Sequence, residues 1–249
     1  MAHPIATRTI AAAPAAERVE FLKGVLTLTS VGLILTAISG FVAANVMGPY
    51  FFESVQNPLT GESVLLMQHQ WIYLITILGA MIAAQALGPK LAMGNTPEAG
   101  LVVGSALMGV TLGPLLYFAY HLGTNNVPGM SLIGQALGLT ALTAVGMTGY
   151  VWSKPRDFSM MRAAIAAVML PLIVMMVLSW FLPMGGTFTL ILIGGFVLVS
   201  AGTLLFELNS IIHTMDTDRK VLASVMLTLS IAVLFYNLLM LLIQLQSRD

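Results

Sequence analysis

One carboxylate in this sequence lies where water is scarce. Of the ten Asp and Glu residues, only Glu207 falls inside a long apolar segment, the run that ends at His213. An ionisable side chain within a membrane span is costly, and such residues commonly mark proton relays, ion pathways or ligand sites. Burial disfavours the ionised form of a carboxyl group, so a protonated, hydrogen-bonding side chain is expected here. We therefore take Glu207 as the first candidate functional residue.

The side chains that could act together with Glu207 lie in the last two apolar segments and in the turn between them. Ser230 and Asn237 are seven residues apart, on one face of a helix, and both can hydrogen-bond a protonated carboxyl group. A histidine and two aspartates follow Glu207 toward the turn, so a path for a proton or cation is geometrically possible. The alternative is that Glu207 only joins two helices. The proton-sensing or ion-sensing candidates are Glu207, Ser230, His213, Asp216, Asp218 and Asn237.

The elements that must position these side chains are membrane helices. Hydrophobic residues make up 58% of the chain, charged residues 8%, and the mean hydropathy is +0.93, whereas soluble domains carry about a quarter charged residues. Apolar segments long enough to cross a hydrocarbon core of about 30 Å alternate with short polar breaks. We therefore predict an all-α integral membrane protein with seven spans, at residues 22–47, 71–88, 99–120, 131–152, 163–182, 187–212 and 221–244.

The distribution of Lys and Arg predicts the orientation in the membrane. All ten except Arg248 lie in the N-terminal tail, counted through Lys23 at the start of the first span, or in the second, fourth and sixth loops. Cytoplasmic loops accumulate positive charge, so the N-terminus is predicted to be cytoplasmic and the C-terminus outside. The first apolar run is too long for the core of a signal peptide, so we expect it to remain as a span. Residues 1–21 are then a flexible cytoplasmic tail and residues 22–249 a single membrane domain, in which the loop at residues 48–70 has no evident role.

Glycines at close spacing predict places where helix backbones approach each other. Examples are Gly104, Gly109 and Gly113 in the third span, and Gly134 and Gly138 in the fourth. Because lipid supplies no hydrophobic force between helices, small residues at such spacing usually mark helix packing. We expect both groups to lie at helix contacts.

Two prolines lie inside predicted spans. Pro114 follows Gly113 in the third span, and Pro171 lies in the fifth. A proline within a helix removes one backbone donor and can kink the helix, which membrane bundles tolerate when neighbouring groups satisfy the freed carbonyl. Gly113, Pro114 and Pro171 are therefore hinge candidates, with a static kink as the alternative.

Several kinds of chemistry are absent from the sequence. There is no cysteine, no pair of histidines at the spacing of a helical metal site, and no recognisable hydrolase motif. The positive charges form no basic stripe, so no nucleic-acid partner is expected. We predict neither enzymatic activity nor a resident cofactor, and calcium enters only as an ion that could permeate.

The last two spans carry a resemblance to a known family. Residues 204–213, the following Asp216 and Thr217, the Leu229–Ser230 segment and the C-terminal residues 246–249 resemble the Bax inhibitor-1 (transmembrane BAX inhibitor motif) family, specifically its bacterial YccA branch. Residues 108–116 are similar to the family's Gly-Pro element, and residues 150–159 to its basic loop. The resemblance extends from about residue 71 to the end of the chain.

That resemblance implies a seven-helix bundle in a bacterial inner membrane, with the last helix surrounded by the other six. Some members look like pH-sensitive calcium leak channels closed by a proton shared between two aspartates. The matching positions here are Glu207 and Ser230, and a single carboxylate cannot form such a pair. The YccA branch is implied to bind and restrain the membrane-anchored AAA protease FtsH, through a cytoplasmic N-terminal tail.

Three hypotheses of function therefore stand side by side. The chain is a membrane-embedded modulator of an FtsH-type protease, an accessory subunit packed in another membrane complex, or a cation leak gated at Glu207. An intramembrane enzyme is the least supported class, because no catalytic motif is present.

Overall fold

The computed structural model describes residues 9–56, 63–122, 129–153, 159–179, 181 and 185–246. A single turn of 3-10 helix at Ile10–Ala12 precedes seven long helices, and a short antiparallel hairpin joins the first two of them. The helices are α1 (Ala15–Phe51), α2 (Gln70–Ala92), α3 (Pro97–His121), α4 (Gly129–Ser153), α5 (Ser159–Ser179), α6 (Gly186–His213) and α7 (Lys220–Gln246).

The prediction of an all-α protein with seven spans is confirmed. Each of the seven helices is long and apolar enough to cross a membrane. Most of them extend beyond the predicted apolar runs, because polar residues at both ends continue the helix into the interfacial layers. The direction of insertion stays a prediction.

Helix α7 occupies the centre of the bundle. It packs against α1, α2, α3, α4 and α6, and more than half of its most apolar stretch is buried. Helix α5 is the opposite extreme, since none of its described residues is buried, and its main packing partner is α6. The central position expected for the last helix is therefore present.

Glycines allow α3 to pack closely against two neighbours. A Cβ atom built on Gly109 would lie 2.6 Å from the Thr36 carbonyl oxygen and 2.7 Å from the Gly40 nitrogen of α1. One built on Gly100 would lie 2.5 Å from both the Gly88 carbonyl oxygen and the Ala92 nitrogen of α2. Since any larger residue would collide with backbone, the predicted role of the α3 glycines in helix packing is confirmed.

The corresponding prediction for α4 is wrong. A Cβ atom on Gly134, Gly138, Gly146 or Gly149 would meet no described atom within 4 Å beyond its own helix. Helix α4 contacts α3, α6 and α7 through other residues, among them the buried Leu132, Ala136 and Thr140. The glycines lie on the side of the helix that faces away from the bundle, so the spacing alone did not identify the contact face.

The loop predicted at residues 48–70 is partly regular structure. Helix α1 continues to Phe51, and strands β1 (Phe52–Gln56) and β2 (Ser63–Met67) pair in antiparallel register, with Phe52 opposite Met67. Phe51 and Phe52 are buried against the rings of Tyr73 and Phe118, at centroid distances of 5.3 and 5.1 Å. This aromatic cluster ties the hairpin to α2 and α3.

Part of the predicted N-terminal tail is also ordered. Helix α1 begins at Ala15, and the Ile10 side chain is 1% exposed. The Ile10 amide donates to the Met215 carbonyl oxygen at 2.9 Å, and Thr9 forms an isolated bridge with Asp216. Residues 9–13 therefore lie across the turn between α6 and α7, because Ile10 fills an apolar space there. The division into tail and membrane domain stays a prediction.

Candidate functional site

The structure brings Glu207 of α6 and Ser230 of α7 into contact. The Ser230 hydroxyl donates a hydrogen bond to Glu207 Oε2. Ser230 is buried and Glu207 is half-buried, between α6 and the central helix α7. The hydrogen bond that the sequence predicted between these two positions is therefore present, while a sensing role for either residue stays a prediction.

The backbones of Glu207 and Ser230 lie at different distances from the turn between α6 and α7. Glu207 lies six residues before the end of α6, or about 9 Å, and Ser230 lies ten residues into α7, or about 15 Å. Helical side chains incline toward the N-terminus of their helix, which carries the Glu207 carboxyl group away from the turn and toward Ser230. The carboxyl group consequently lies deeper in the bundle than its backbone.

Asn237 has a different partner from the one expected. Its Nδ2 donates to the Phe196 carbonyl oxygen at 3.4 Å, so it joins α7 to α6 nearer the other end of the bundle. No hydrogen bond between Asn237 and Glu207 is present. Asn237 thus belongs to a separate link between the same two helices.

The turn between α6 and α7 holds the remaining sensing candidates. Asp216 forms an ion pair with Arg219 at 3.4 Å, and Asp218 is exposed. His213 is half-buried, and among the described residues its Nε2 has no hydrogen-bond partner. The three side chains lie at one end of the bundle, which we call the basic end because Lys90, Arg219 and Lys220 lie there too. Their predicted sensing role is untested by this geometry.

Two polar features of the interior were not foreseen. Tyr73 of α2 and Tyr236 of α7 hydrogen-bond each other. Asn209 is buried, and its Oδ1 has no partner among the described residues. It lies two residues after Glu207, and a single Asn in a long apolar segment was the signal that could have identified it.

The hinge candidates lie in contrasting surroundings. Gly113 and Pro114 are buried in α3, and a Cβ atom on Gly113 would lie 2.8 Å from the Ala43 carbonyl carbon. Pro171 is exposed in α5. Both helices continue through their prolines, and a hinge at either place stays a prediction.

An apolar groove opens between α1 and α4, with α3 and α7 as its floor. Its volume is about 870 Å³, and its polar end carries Asn45, Tyr120 and His121. Within the described part of the chain, no group of three His, Asp and Glu side chains comes together as a metal site.

Comparison with known proteins identifies relatives of the whole bundle. The family model described as inhibitor of apoptosis-promoting Bax1 matches residues 18–248. An uncharacterised protein of Pseudomonas aeruginosa is 31% identical over 90% of this chain and 88% of its own length. The modulator of FtsH protease YccA of Escherichia coli is 29% identical over 72% of this chain and 78% of its own. Bax inhibitor 1 of Schizosaccharomyces pombe is 23% identical over 93% and 79%.

Proposed function

This protein belongs to the Bax inhibitor-1 family, and we propose that it is a non-enzymatic membrane modulator that binds and restrains a membrane-anchored AAA protease of the FtsH type. It is a multi-pass protein of the bacterial inner membrane. The observation that carries the proposal is the similarity to the relative named as a modulator of FtsH protease, which extends over 72% of this chain.

The outward glycines of α4 support a contact with a partner inside the membrane. Gly134 and Gly138 are one helical turn apart and exposed, with no described atom beyond their own helix within 4 Å. Small residues at this spacing allow the backbone of a second helix to approach closely. We propose that a transmembrane helix of the protease packs on this face.

The experiment is co-purification of the protease from native membranes in mild detergent. Replacing Gly134 and Gly138 together by leucine should reduce the recovered protease by at least about tenfold, since each leucine holds the partner helix away. The matched control is Gly194→Leu in α6, where a Cβ atom would also meet nothing within 4 Å among the described residues. Equal recovery with the double variant and with wild type would exclude the α4 face.

The N-terminal segment is the second proposed contact. Deleting residues 2–8 leaves the Ile10 anchor and α1 intact, whereas deletion through residue 20 would also remove the buried Ile10 and the start of α1. We expect the shorter deletion to abolish restraint of the protease while the bundle stays folded. Undiminished binding and restraint would show that the tail is not the contact.

The proposed orientation places the basic end in the cytoplasm. The chain has no cysteine, so single cysteines can report on each side. Asp218→Cys in the turn at the basic end should resist a membrane-impermeant thiol reagent in intact cells. Ser54→Cys in the hairpin should react, and the opposite pattern would reverse the orientation.

The hydrogen bond between Glu207 and Ser230 favours a second candidate function, a pH-sensitive cation leak gated at Glu207. A carboxyl group held by a single hydroxyl can exchange its proton and so alter the contact between α6 and α7. The test is calcium flux into proteoliposomes at several pH values. Glu207→Gln should abolish the pH dependence, and flux unchanged by this substitution would remove the candidate.

A further inference from the structure

A small cavity at the basic end joins the N-terminal segment to the ends of α4 and α6. Its volume is about 230 Å³, and its walls include Ile10, Arg18, Leu22, Trp152 and His213. Ile10 belongs to the N-terminal segment, and Arg18 and Leu22 belong to α1. Trp152 lies in the last turn of α4, and His213 is the last residue of α6. The cavity therefore lies where the helices end, at the depth at which tryptophan side chains meet lipid head groups.

The polar groups of this cavity have a net positive character. The Arg18 side chain is half-buried, and among the described residues it forms no ion pair or side-chain hydrogen bond. His213 Nε2 is buried and likewise without a partner among them. No acidic residue among those that the structure describes lines the walls. The Arg18 guanidinium group thus borders a space without a described anion, and the buried His213 Nε2 lies just behind its wall.

Two carboxylates near the cavity are engaged with other cations, whereas Glu17 and Asp218 are exposed to solvent. Asp216 pairs with Arg219 at 3.4 Å, and Glu20 lies 3.9 Å from Lys220. Among the described residues, Arg18 is the cation that borders the cavity. A buried polar nitrogen without a partner is destabilising, so an acceptor bound at Arg18 would also satisfy His213 if the imidazole ring turned toward the cavity.

The size of the cavity limits the ligand. At about 30 Å³ for each water molecule in the liquid, 230 Å³ holds roughly seven or eight waters. This is less than the roughly 300–1,000 Å³ of typical pockets for drug-sized molecules. A compact anion therefore fits within the cavity. The planar donors of arginine match the oxygens of a phosphate group in geometry, and basic pockets between membrane helices bind lipid head groups.

We propose that Arg18 and His213 bind a phosphate group, carried either by the head group of a phospholipid or by free phosphate. Arg18 donates two parallel hydrogen bonds, and the His213 ring turns toward the cavity to donate a third through Nε2. Because Ile10 forms part of the wall, the bound phosphate also holds residues 9–13 against the turn between α6 and α7. This site is independent of the proposed contact with a protease.

The experiment uses the full chain in detergent after removal of native lipid. One arm adds short-chain phosphatidylglycerol, a second adds inorganic phosphate, and a third adds diacylglycerol, which has the chains but no phosphate. Native mass spectrometry counts bound molecules, and the melting temperature reports stabilisation. Binding of phosphatidylglycerol alone assigns the site to lipid, and binding of phosphate assigns it to the free anion. Binding of neither, or equal binding of diacylglycerol, would overturn the proposal.

The variants distinguish a built site from general attraction to positive charge. Arg18→Gln and His213→Gln should each weaken binding about tenfold or more, because each removes a charge-assisted or buried hydrogen bond. Lys23→Gln removes the same charge from an exposed position on α1 outside the cavity and should bind as wild type. An equal loss with Lys23→Gln would contradict the proposal.

One further variant keeps the proposal testable if Arg18→Gln fails to fold. Arg18→Lys retains the charge but lacks the paired donors, so we expect binding several-fold weaker than wild type. Binding as tight as wild type would show that Arg18 does not hold the phosphate.

Discussion

Helices α3 and α4 each carry glycines four residues apart, yet the two sets have opposite surroundings. Gly109 and Gly113 of α3 lie against the backbone of α1. Gly134 and Gly138 of α4 face away from the bundle, with nothing described within 4 Å beyond their own helix. The same spacing thus marks an internal contact in one helix and an open surface in the other. What distinguishes them is the helix that covers each face, and this depends on the fold as a whole.

The largest effect is expected where α3 is covered. In Gly113→Ala the new methyl group would lie 2.4 Å from the Ala43 Cβ and 2.8 Å from the Ala43 carbonyl carbon, so the α1 backbone must move. Overpacking of this kind costs about 1–3 kcal/mol. We expect unfolding of the protein in detergent by heat or denaturant to show this loss, and an unchanged midpoint would mean that α1 and α3 are not so closely packed.

Replacing glycine by alanine in α4 should stabilise the protein, whereas the same change in α3 destabilises it. Gly134→Ala and Gly138→Ala meet no neighbour, and alanine is favoured over glycine within a helix by about 0.5–1 kcal/mol. Each variant should therefore unfold at a slightly higher temperature than wild type. A loss of stability in the isolated protein would show that another part of the chain covers this face.

The hydrogen bond between α6 and α7 shows how much a helix contact without glycine contributes to the free energy of unfolding. Ser230→Ala removes the hydroxyl that donates to Glu207. Hydrogen bonds between membrane helices contribute about 0.6 kcal/mol on average, so we expect a loss of that size in the free energy of unfolding. Ser230→Thr keeps the hydroxyl and is the control. A loss above about 2 kcal/mol would indicate that Glu207 depends on this single partner.

The smallest effect is expected at the contact between α5 and α6. A Cβ atom on Gly195 would lie 2.6 Å from the Leu172 Cδ2, the flexible end of a side chain in the peripheral helix. Leu172 can change rotamer, and the gain from alanine offsets the displacement. Gly195→Ala should remain within about 0.5 kcal/mol of wild type. A cost as large as that of Gly113→Ala would show that α5 is held as rigidly as α3.

The number of spans and the partner of Glu207 were accessible from the sequence for the same reason. Both depend on distance along the chain. The length of an apolar segment shows whether it can span the membrane, and the number of residues from the turn between α6 and α7 gives the depth of Glu207 and of Ser230. The partner of Asn237 and the outward direction of Gly134 were not accessible, because they depend on how helices rotate about their axes. Rotation is set by the sum of many contacts, and a single residue carries little information about it.

Short ordered segments were also missed for a local reason. Ile10 stands in an alanine-rich stretch without periodicity, so its burial depends on a space that α6 and α7 form far along the chain. The hairpin at residues 52–67 has only five residues in each strand and no strict alternation. Its stability comes from Phe51 and Phe52 against aromatic residues of α2 and α3, which the sequence does not place beside them.

The length and packing of α1 determine how the protein resists force. The helix has 37 residues, about 55 Å, and runs parallel to α3 with contacts from Gly40 at Gly109 to Gly48 at Tyr117. A force applied at the N-terminus would first detach residues 9–13 from the turn between α6 and α7. The force would then act along the axis of α1. The close contacts between the α1 glycines and α3 would have to break together. Resistance to extraction from the membrane would then depend on the contact between α1 and α3 more than on residues 9–13.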